Sequence, residues 1–187
     1  MAGQLSTVCY VIIGAIIIFP EAHSKPYQTN YDAAREITIK NRYFLKYRSY
    51  RDDRIIRGAD HCVSLLVTNS QYGVSNAIFR YKLTPRSAYQ NKLVQLRTHK
   101  SPPQSAQDNM ITTMDQATGG QLYDQRLQYS DYQHCRVLVQ QFGNQRECSL
   151  WLTAERREGP VPTPCSTAYT DICQQRVHQI DDPARCR

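Results

Sequence analysis

Residues 134–173 read HCRVLVQQFGNQRECSLWLTAERREGPVPTPCSTAYTDIC and contain four of the chain's seven cysteines and its single tryptophan. Two hydrophobic runs, Cys135–Phe142 and Cys148–Ala154, flank the turn Gly143-Asn144, which is typical of an antiparallel hairpin. Three prolines then lead into Cys165–Val177, which has apolar residues for one face of a helix. This stretch therefore predicts two paired strands followed by a helix that covers their apolar outer side.

Six further runs alternate apolar and polar residues with the period of two that favours half-buried strands. They are Asn41–Tyr50, His61–Thr68, Ser75–Thr84, Asn91–His99, Asn109–Asp115 and Gln121–Tyr129. Before the first run, Asp32–Lys40 has the composition of a short helix with an acidic start and a basic end. About eight strands at a spacing of roughly 10–12 residues predict an all-β domain, either an antiparallel barrel or a sandwich.

The first residues have the pattern of a secretory signal. Val8–Phe19 is an uncharged run of twelve residues, and Ala22 and Ser24 supply the small residues of a cleavage site. Because the run is shorter than the roughly 17–25 residues that span a bilayer, a cleaved signal peptide over residues 1–24 is favoured over a membrane anchor. We therefore expect a secreted protein with a single domain over residues 25–187.

Cysteine number and charge restrict the class of protein further. Removal of Cys9 with the signal leaves six cysteines, which in a secreted chain predict disulfides, and no C-x-x-C or H-x-x-x-H spacing favours a metal site. The formal net charge of the full chain is +7. Because the basic residues are scattered, solubility is the simpler explanation of this charge, with binding to a polyanionic surface or an acidic host protein as the alternative.

The sequence lacks the local signatures of common enzymes. Neither a G-x-S-x-G motif nor a glycine-rich phosphate-binding loop occurs, and no catalytic-cysteine context accompanies the histidines. We expect a non-enzymatic monomer that needs no cofactor and no metal. We also expect it to bind no nucleic acid and, after cleavage of the signal, no membrane.

Aromatic residues indicate a cavity for a ligand. A small eight-stranded barrel can enclose one small ligand, and tyrosine suits its wall because the ring is apolar and the hydroxyl forms hydrogen bonds. Strand alternation places Tyr43 and Tyr47 on one shared face, and it does the same for Phe79 and Tyr81. Trp151 faces away from its two flanking leucines, so it points into a barrel if those leucines meet the helix.

Several motifs occur together in the second half of the chain. C-R-V-L-V begins at Cys135, C-S-L-W begins at Cys148, a cysteine heads the helix after the proline-rich turn, and Gln128–Cys135 reads QYSDYQHC. This combination resembles the tick salivary lipocalins known as histamine-binding proteins. The resemblance implies an eight-stranded antiparallel up-and-down lipocalin barrel with a short N-terminal helix and a C-terminal helix packed outside. It also implies three disulfides: Cys62–Cys186, Cys135–Cys165 and Cys148–Cys173.

Two positions depart from the amine-binding members of that family. Those members typically carry an acid directly after the first cysteine of the stretch and a glutamate two residues before the tryptophan, where this chain has Arg136 and Ser149. Because a buried ammonium group needs a carboxylate partner, these replacements argue against tight amine binding there. Glu147 lies on the same side of the alternation as Trp151 and offers a partial substitute.

The resemblance also implies further cavity residues: Met110, Thr112 and Tyr123. A wall of this kind favours a neutral or anionic amphiphile, such as an eicosanoid, a fatty acid or a sterol, over histamine or serotonin. An inward arginine would favour a carboxylate through paired hydrogen bonds. Such an arginine exists among Arg48, Arg80 and Arg97 only if the strand alternation is reversed.

The expected function is sequestration. We expect a secreted salivary lipocalin that binds a small host mediator, preferably a lipid-like one, and so modulates host defence. Two alternatives stay open: binding of a biogenic amine such as histamine, as in the family, and binding of a host immune or haemostatic protein through the basic surface. Fold similarity alone does not select among them.

Overall fold

A computed structural model describes residues 31–173 and 177–186, and the expected signal peptide over residues 1–24 lies outside them. Eight strands form at the positions that the alternation predicts. They are β1 (Arg42–Arg48), β2 (His61–Gln71), β3 (Val74–Lys82), β4 (Tyr89–His99), β5 (Met110–Asp115), β6 (Gln121–Ser130), β7 (Cys135–Phe142) and β8 (Gln145–Thr153). Within the described residues, no helix is long and apolar enough to cross a bilayer.

The eight strands close into an up-and-down barrel. Each strand from β2 to β7 pairs antiparallel with the strand that follows it, and β1 pairs with both β8 and β2. The predicted barrel is confirmed, and the sandwich is excluded because the sheet closes on itself. The closing contact between β1 and β2 is short. It begins where Arg42 pairs with Leu66 and ends where Phe44 pairs with Ser64.

The C-terminal tail lies where β1 and β2 separate. A two-residue strand, β9 (His178–Gln179), pairs with the end of β1, and the Cys62 amide of β2 donates a hydrogen bond of 3.1 Å to the Ile180 carbonyl. The Cys62–Cys186 disulfide attaches the tail to β2. Two residues are too few to show a period, so the sequence does not predict this strand.

A short helix, α1 (Ala33–Glu36), lies at the end of the barrel that carries the β4–β5 and β6–β7 connections, called here the closed end. Asp32 caps it by accepting a hydrogen bond of 3.0 Å from the Arg35 amide. The helix is shorter than the predicted Asp32–Lys40. The Ser75 hydroxyl donates to the Ile37 carbonyl at 2.7 Å, and this contact with β3 replaces a further helical hydrogen bond.

The second helix, α2 (Thr163–Cys173), packs outside the barrel on β7 and β8. Ala168 and Tyr169 are buried there against outward-facing leucines and valines of the two strands. Disulfides Cys135–Cys165 and Cys148–Cys173 fasten the helix to β7 and β8 respectively, so all three expected disulfides are present. Disulfides in this number suggest an extracellular protein.

A bulge in β1 reverses the alternation of that strand. The pairing with β8 shifts register between Leu45 and Tyr47, which inserts one extra residue. Tyr43 and Leu45 belong to the interior core, whereas Tyr47 packs outside, with its ring centroid 6.4 Å from that of Tyr169 in α2. The prediction that Tyr47 shares the interior face of Tyr43 is therefore wrong, and Arg48 is completely buried instead.

Candidate functional site

The barrel contains a small central cavity to which each of the strands β1 to β8 contributes. Its volume is about 30 Å³, whereas pockets for small ligands usually measure roughly 300–1,000 Å³. The wall is mostly apolar and is formed by Leu45, Tyr50, Asp53, Leu65, Phe79, Leu96, Ile111, Thr113, Tyr123, Gln125, Arg136, Leu138 and Trp151. A ligand of ordinary size therefore fits only after side chains or a loop have moved.

The loop between β1 and β2, residues 49–60, covers the end of the barrel opposite α1 and is called here the mouth loop. Ile56 of this loop is buried in the interior core. Asp53 reaches the cavity, where both of its carboxylate oxygens accept from the Tyr123 hydroxyl at 3.0 Å. It also accepts from the amides of Ile55 at 3.0 Å and Ile56 at 2.9 Å. These bonds hold the mouth loop across the barrel.

Arg48 attaches the same loop to β1. The guanidinium lies 3.6 Å from the Asp53 carboxylate. It donates to the carbonyls of Tyr50 at 3.1 Å and Ala59 at 3.2 Å, and also to the Asp60 carboxylate. Because this buried charge has both acidic partners and hydrogen bonds, the cost of its desolvation is offset.

Glu147 of β8 also lies at the mouth. It is buried, with its Oε1 atom 3.3 Å from Nε of Arg54. Burial raises the pKa of Glu147, an effect that Arg54 opposes and Asp53 increases. Burial also raises the pKa of Asp53, although its hydrogen bonds act in the opposite direction. The mouth therefore contains two desolvated acids, each of which already has an arginine partner.

Arg136 lines the cavity toward the closed end. Its guanidinium carbon lies 4.2 Å from the centre of the Tyr43 ring and 5.4 Å from that of Trp151. Glu36 of α1 faces it, with 3.6 Å between Oε1 and Nη1. The other Glu36 oxygen accepts a hydrogen bond of 2.6 Å from the Ser130 hydroxyl. The closed end thus combines a buried cation with two aromatic rings and one acid.

Six of the residues predicted to bind ligand are buried on the inner side of the barrel: Tyr43, Phe79, Tyr123, Glu147, Ser149 and Trp151. Three of these, Phe79, Tyr123 and Trp151, line the cavity itself. Tyr81 is half-buried, with its ring centroid 6.0 Å from that of Phe79. The structure therefore brings together the aromatic residues of four different strands.

Met110 and Thr112 face the outside of β5. The cavity side of this strand carries Ile111 and Thr113, and the Thr112 hydroxyl bonds Asp124 at 2.8 Å on the outer surface. The prediction that Met110 and Thr112 line the cavity is wrong by one position. Because side chains alternate along a strand, a shift of one residue moves a whole set to the opposite face.

The sequence did not indicate Asp53, and it identified Arg136 only as the replacement of an acid found in the amine-binding members. Asp53 lies in a loop, where no period applies, and the bulge conceals the burial of Arg48. A signal for Arg136 did exist. Cys135 bonds the outer helix, so the next residue in the strand must face inward.

Solved structures with a similar fold include three proteins of low sequence identity. Japanin from Rhipicephalus appendiculatus, bound to cholesterol, is 15% identical, with 79% of this chain and 96% of that chain covered at a TM-score of 0.60. A variant of LTBP1 in complex with leukotriene C4 is 13% identical, with 84% and 92% covered at 0.50. Lobster apocrustacyanin A1 is 8% identical, with 77% and 78% covered at 0.54. At identities this low, the structural similarity shows the shared barrel fold alone.

Sequence comparisons identify the family. Curated protein sequences give no match to this chain. The family model described as tick histamine binding protein, however, matches residues 21–187, which include every strand of the barrel and both helices. Fold and family are those of ligand-binding lipocalins. The chain belongs to the tick histamine-binding protein family.

Proposed function

We propose that this protein is a non-enzymatic monomer that sequesters one small, predominantly apolar ligand inside its barrel. The observation that supports this function is the central cavity, which has a mostly apolar wall, a few polar groups and a hydrogen-bonded loop across its mouth. Sites for small molecules typically combine an apolar wall with a few placed polar groups. Since the cavity measures about 30 Å³, uptake requires movement of side chains or of the mouth loop.

The family and the three disulfides support an extracellular role. We infer that residues 1–24 direct secretion and that residues 25–187 form the single secreted domain. Bound ligand is withheld from host receptors, and in this way the protein modulates host defence. Japanin was solved with cholesterol and the LTBP1 variant with leukotriene C4. We propose that the ligand of the present chain is likewise a lipid-like host mediator.

The charges around the cavity favour a lipid-like ligand over a biogenic amine. An ammonium group would have to compete with Arg48 for Asp53, or with Arg54 for Glu147. At the closed end it would meet the positive charge of Arg136. Burial of a cation without a free carboxylate costs several kcal/mol, so histamine and serotonin are the less favoured ligands.

A second candidate is binding of a host protein through the outer surface. In β3, the guanidinium carbon of Arg80 lies 3.6 Å from the centre of the Tyr89 ring, and Nζ of Lys82 lies 4.7 Å from it. Nη1 of Arg42 donates to the Ser64 hydroxyl at 3.3 Å. In the described part of the chain, these three cations have no ion pair to an acid. Lys82 is buried, whereas Arg42 and Arg80 are partly exposed. Partly exposed cations without an acidic partner suit an acidic protein surface, and the small cavity also favours this candidate.

Native mass spectrometry and titration calorimetry with refolded protein test the proposal. The ligands are cholesterol, leukotriene C4, arachidonate, histamine and serotonin. We expect one lipid-like molecule per chain, at micromolar or tighter affinity, and quenching of Trp151, which lines the cavity. Tight amine binding that is lost in Glu147→Gln would show that the ligand is an amine and not a lipid. Binding of none of the five ligands would favour the protein-binding candidate.

Two leucines of β4 provide a matched pair of variants. Leu96 is 1% exposed and lines the cavity, whereas Leu93 is 58% exposed on the outer face. Leu96→Phe should weaken ligand binding by filling the cavity, and Leu93→Phe should leave it unchanged. Equal effects of the two substitutions would place the ligand outside the barrel.

A further inference from the structure

Arg136 is a buried cation whose side chain is incompletely paired. It is 2% exposed, and within the described residues its guanidinium donates no hydrogen bond, with Nε fully buried and without an acceptor. Nη1 lies 3.6 Å from Glu36, which is too long for a good hydrogen bond. Because a guanidinium carries five N–H donors and buried polar groups are normally bonded, Arg136 has the capacity to bind an acceptor inside the cavity.

The free edge of the guanidinium suits a carboxylate. Glu36 faces Nη1 and the buried Nε has no acceptor, so the Nε and Nη2 edge can donate two parallel hydrogen bonds to a planar anion once neighbouring side chains have moved. The Glu36 carboxylate is held on its other side by the Ser130 hydroxyl at 2.6 Å. The rings of Tyr43 and Trp151 contact the same cation and exclude water from it.

Among the described residues, the opposite end of the cavity offers no free donor to an anion. Asp53 is the other charged residue of the described wall, and its carboxylate already accepts from Tyr123 and from two backbone amides beside Arg48. Apolar side chains, among them Leu45, Leu65 and Leu96, line the space between the two ends. The wall therefore offers a cation at the closed end and apolar surface above it.

We propose that the ligand of this barrel carries a carboxylate, which binds Arg136 at the closed end while its apolar tail extends toward the mouth loop. This inference rests on the proposed function, because it assumes that a ligand occupies the barrel. It narrows the lipid-like class to acids such as fatty acids, and it gives them a head-inward orientation.

A series of ligands with one tail and three head groups tests the inference. Oleate, methyl oleate and oleyl alcohol are titrated into the wild-type protein near neutral pH, with calorimetry and Trp151 fluorescence as readouts. We expect oleate to bind about 10- to 100-fold more tightly than the other two, the ratio typical of a hydrogen bond between charged groups. Trp151 lies beside Arg136, so its emission should change with the head group.

Three arginine variants assign the preference to one residue. Arg136→Gln should abolish the preference for oleate while methyl oleate keeps its affinity, and Arg136→Lys should retain part of the preference because it keeps the charge without the planar fork. Arg97→Gln, at an exposed position on the outside of β4, is the matched control and should bind like the wild type.

The outcomes separate this inference from the proposed function. Equal affinity of the three ligands for the wild type would overturn the carboxylate site and leave lipid sequestration intact. A preference for oleate that persists in Arg136→Gln would also overturn the assignment. Binding of none of the three ligands would overturn both. If Arg136→Gln does not fold, the wild-type series and Arg136→Lys still decide.

Discussion

The hydrogen bonds between Tyr123 and Asp53 connect the mouth loop to the barrel wall, and their removal is the sharpest test of how the loop is held. Tyr123→Phe deletes one hydroxyl and keeps the ring that stacks on Phe79, with 6.2 Å between centroids. Oδ1 of Asp53 then keeps its two amide donors, whereas Oδ2 keeps only the ion pair with Arg48 at 3.6 Å.

The expected loss follows from burial and charge. Tyr123 is 7% exposed and Asp53 is equally buried, so solvent does not replace the lost donor. Hydrogen bonds to charged groups contribute about 1.5–3 kcal/mol, and we expect the free energy of unfolding to fall by this amount. For a domain of this size, the midpoint of thermal unfolding should fall by about 3–12 °C.

Urea and thermal unfolding of the oxidised protein, followed by Trp151 fluorescence, measure this effect. The matched control is Tyr72→Phe, since Tyr72 is 94% exposed at the tip of the β2–β3 hairpin and should tolerate the change. If Tyr123→Phe unfolds at the same midpoint as the control, the hydrogen bonds between Tyr123 and Asp53 do not hold the loop.

Three further predictions concern other parts of the molecule. Burial raises the pKa of Glu147 above its ordinary 4.5, so the folded state binds this proton more readily than the unfolded chain. The contribution of Glu147 to stability should therefore be present at low pH and decline as pH rises through the raised pKa. Urea titrations from about pH 4 to pH 7 should show a weaker decline of stability in Glu147→Gln than in the wild type. Leu96→Ala should cost about 2–5 kcal/mol by leaving a cavity, whereas Leu93→Ala should change stability by less than about 0.5 kcal/mol in the same unfolding assay. Replacement of both Cys62 and Cys186 by alanine opens a loop with a sequence separation of 124 residues and should cost about 5 kcal/mol on the chain-entropy model; an unchanged unfolding midpoint would contradict the role assigned to this disulfide.

Strand positions were largely predictable from the sequence because the period of two is a local property. Cys135–Phe142 was predicted with the bounds that β7 has, and the inward direction of Trp151 followed from its leucine neighbours, which meet α2 outside. The disulfides followed from the resemblance to a known family, because six cysteines alone allow many pairings. The N-terminal helix was predicted too long, since its end is set by a hydrogen bond from Ser75 in β3.

Faces and ends of the barrel depended on tertiary structure. The bulge after Leu45 turned Tyr47 outward, because alternation holds only while the register is unbroken. Met110 was assigned to the cavity by its match to a family position, and a match displaced by one residue exchanges the two faces of a strand. The sequence by itself determined the strands, the outer helix and the inward tryptophan, all of which depend on neighbours a few residues apart. Only the folded chain decided that Asp53 meets Tyr123 across 70 residues, or that Arg136 faces Glu36, because such contacts form when distant strands close the barrel.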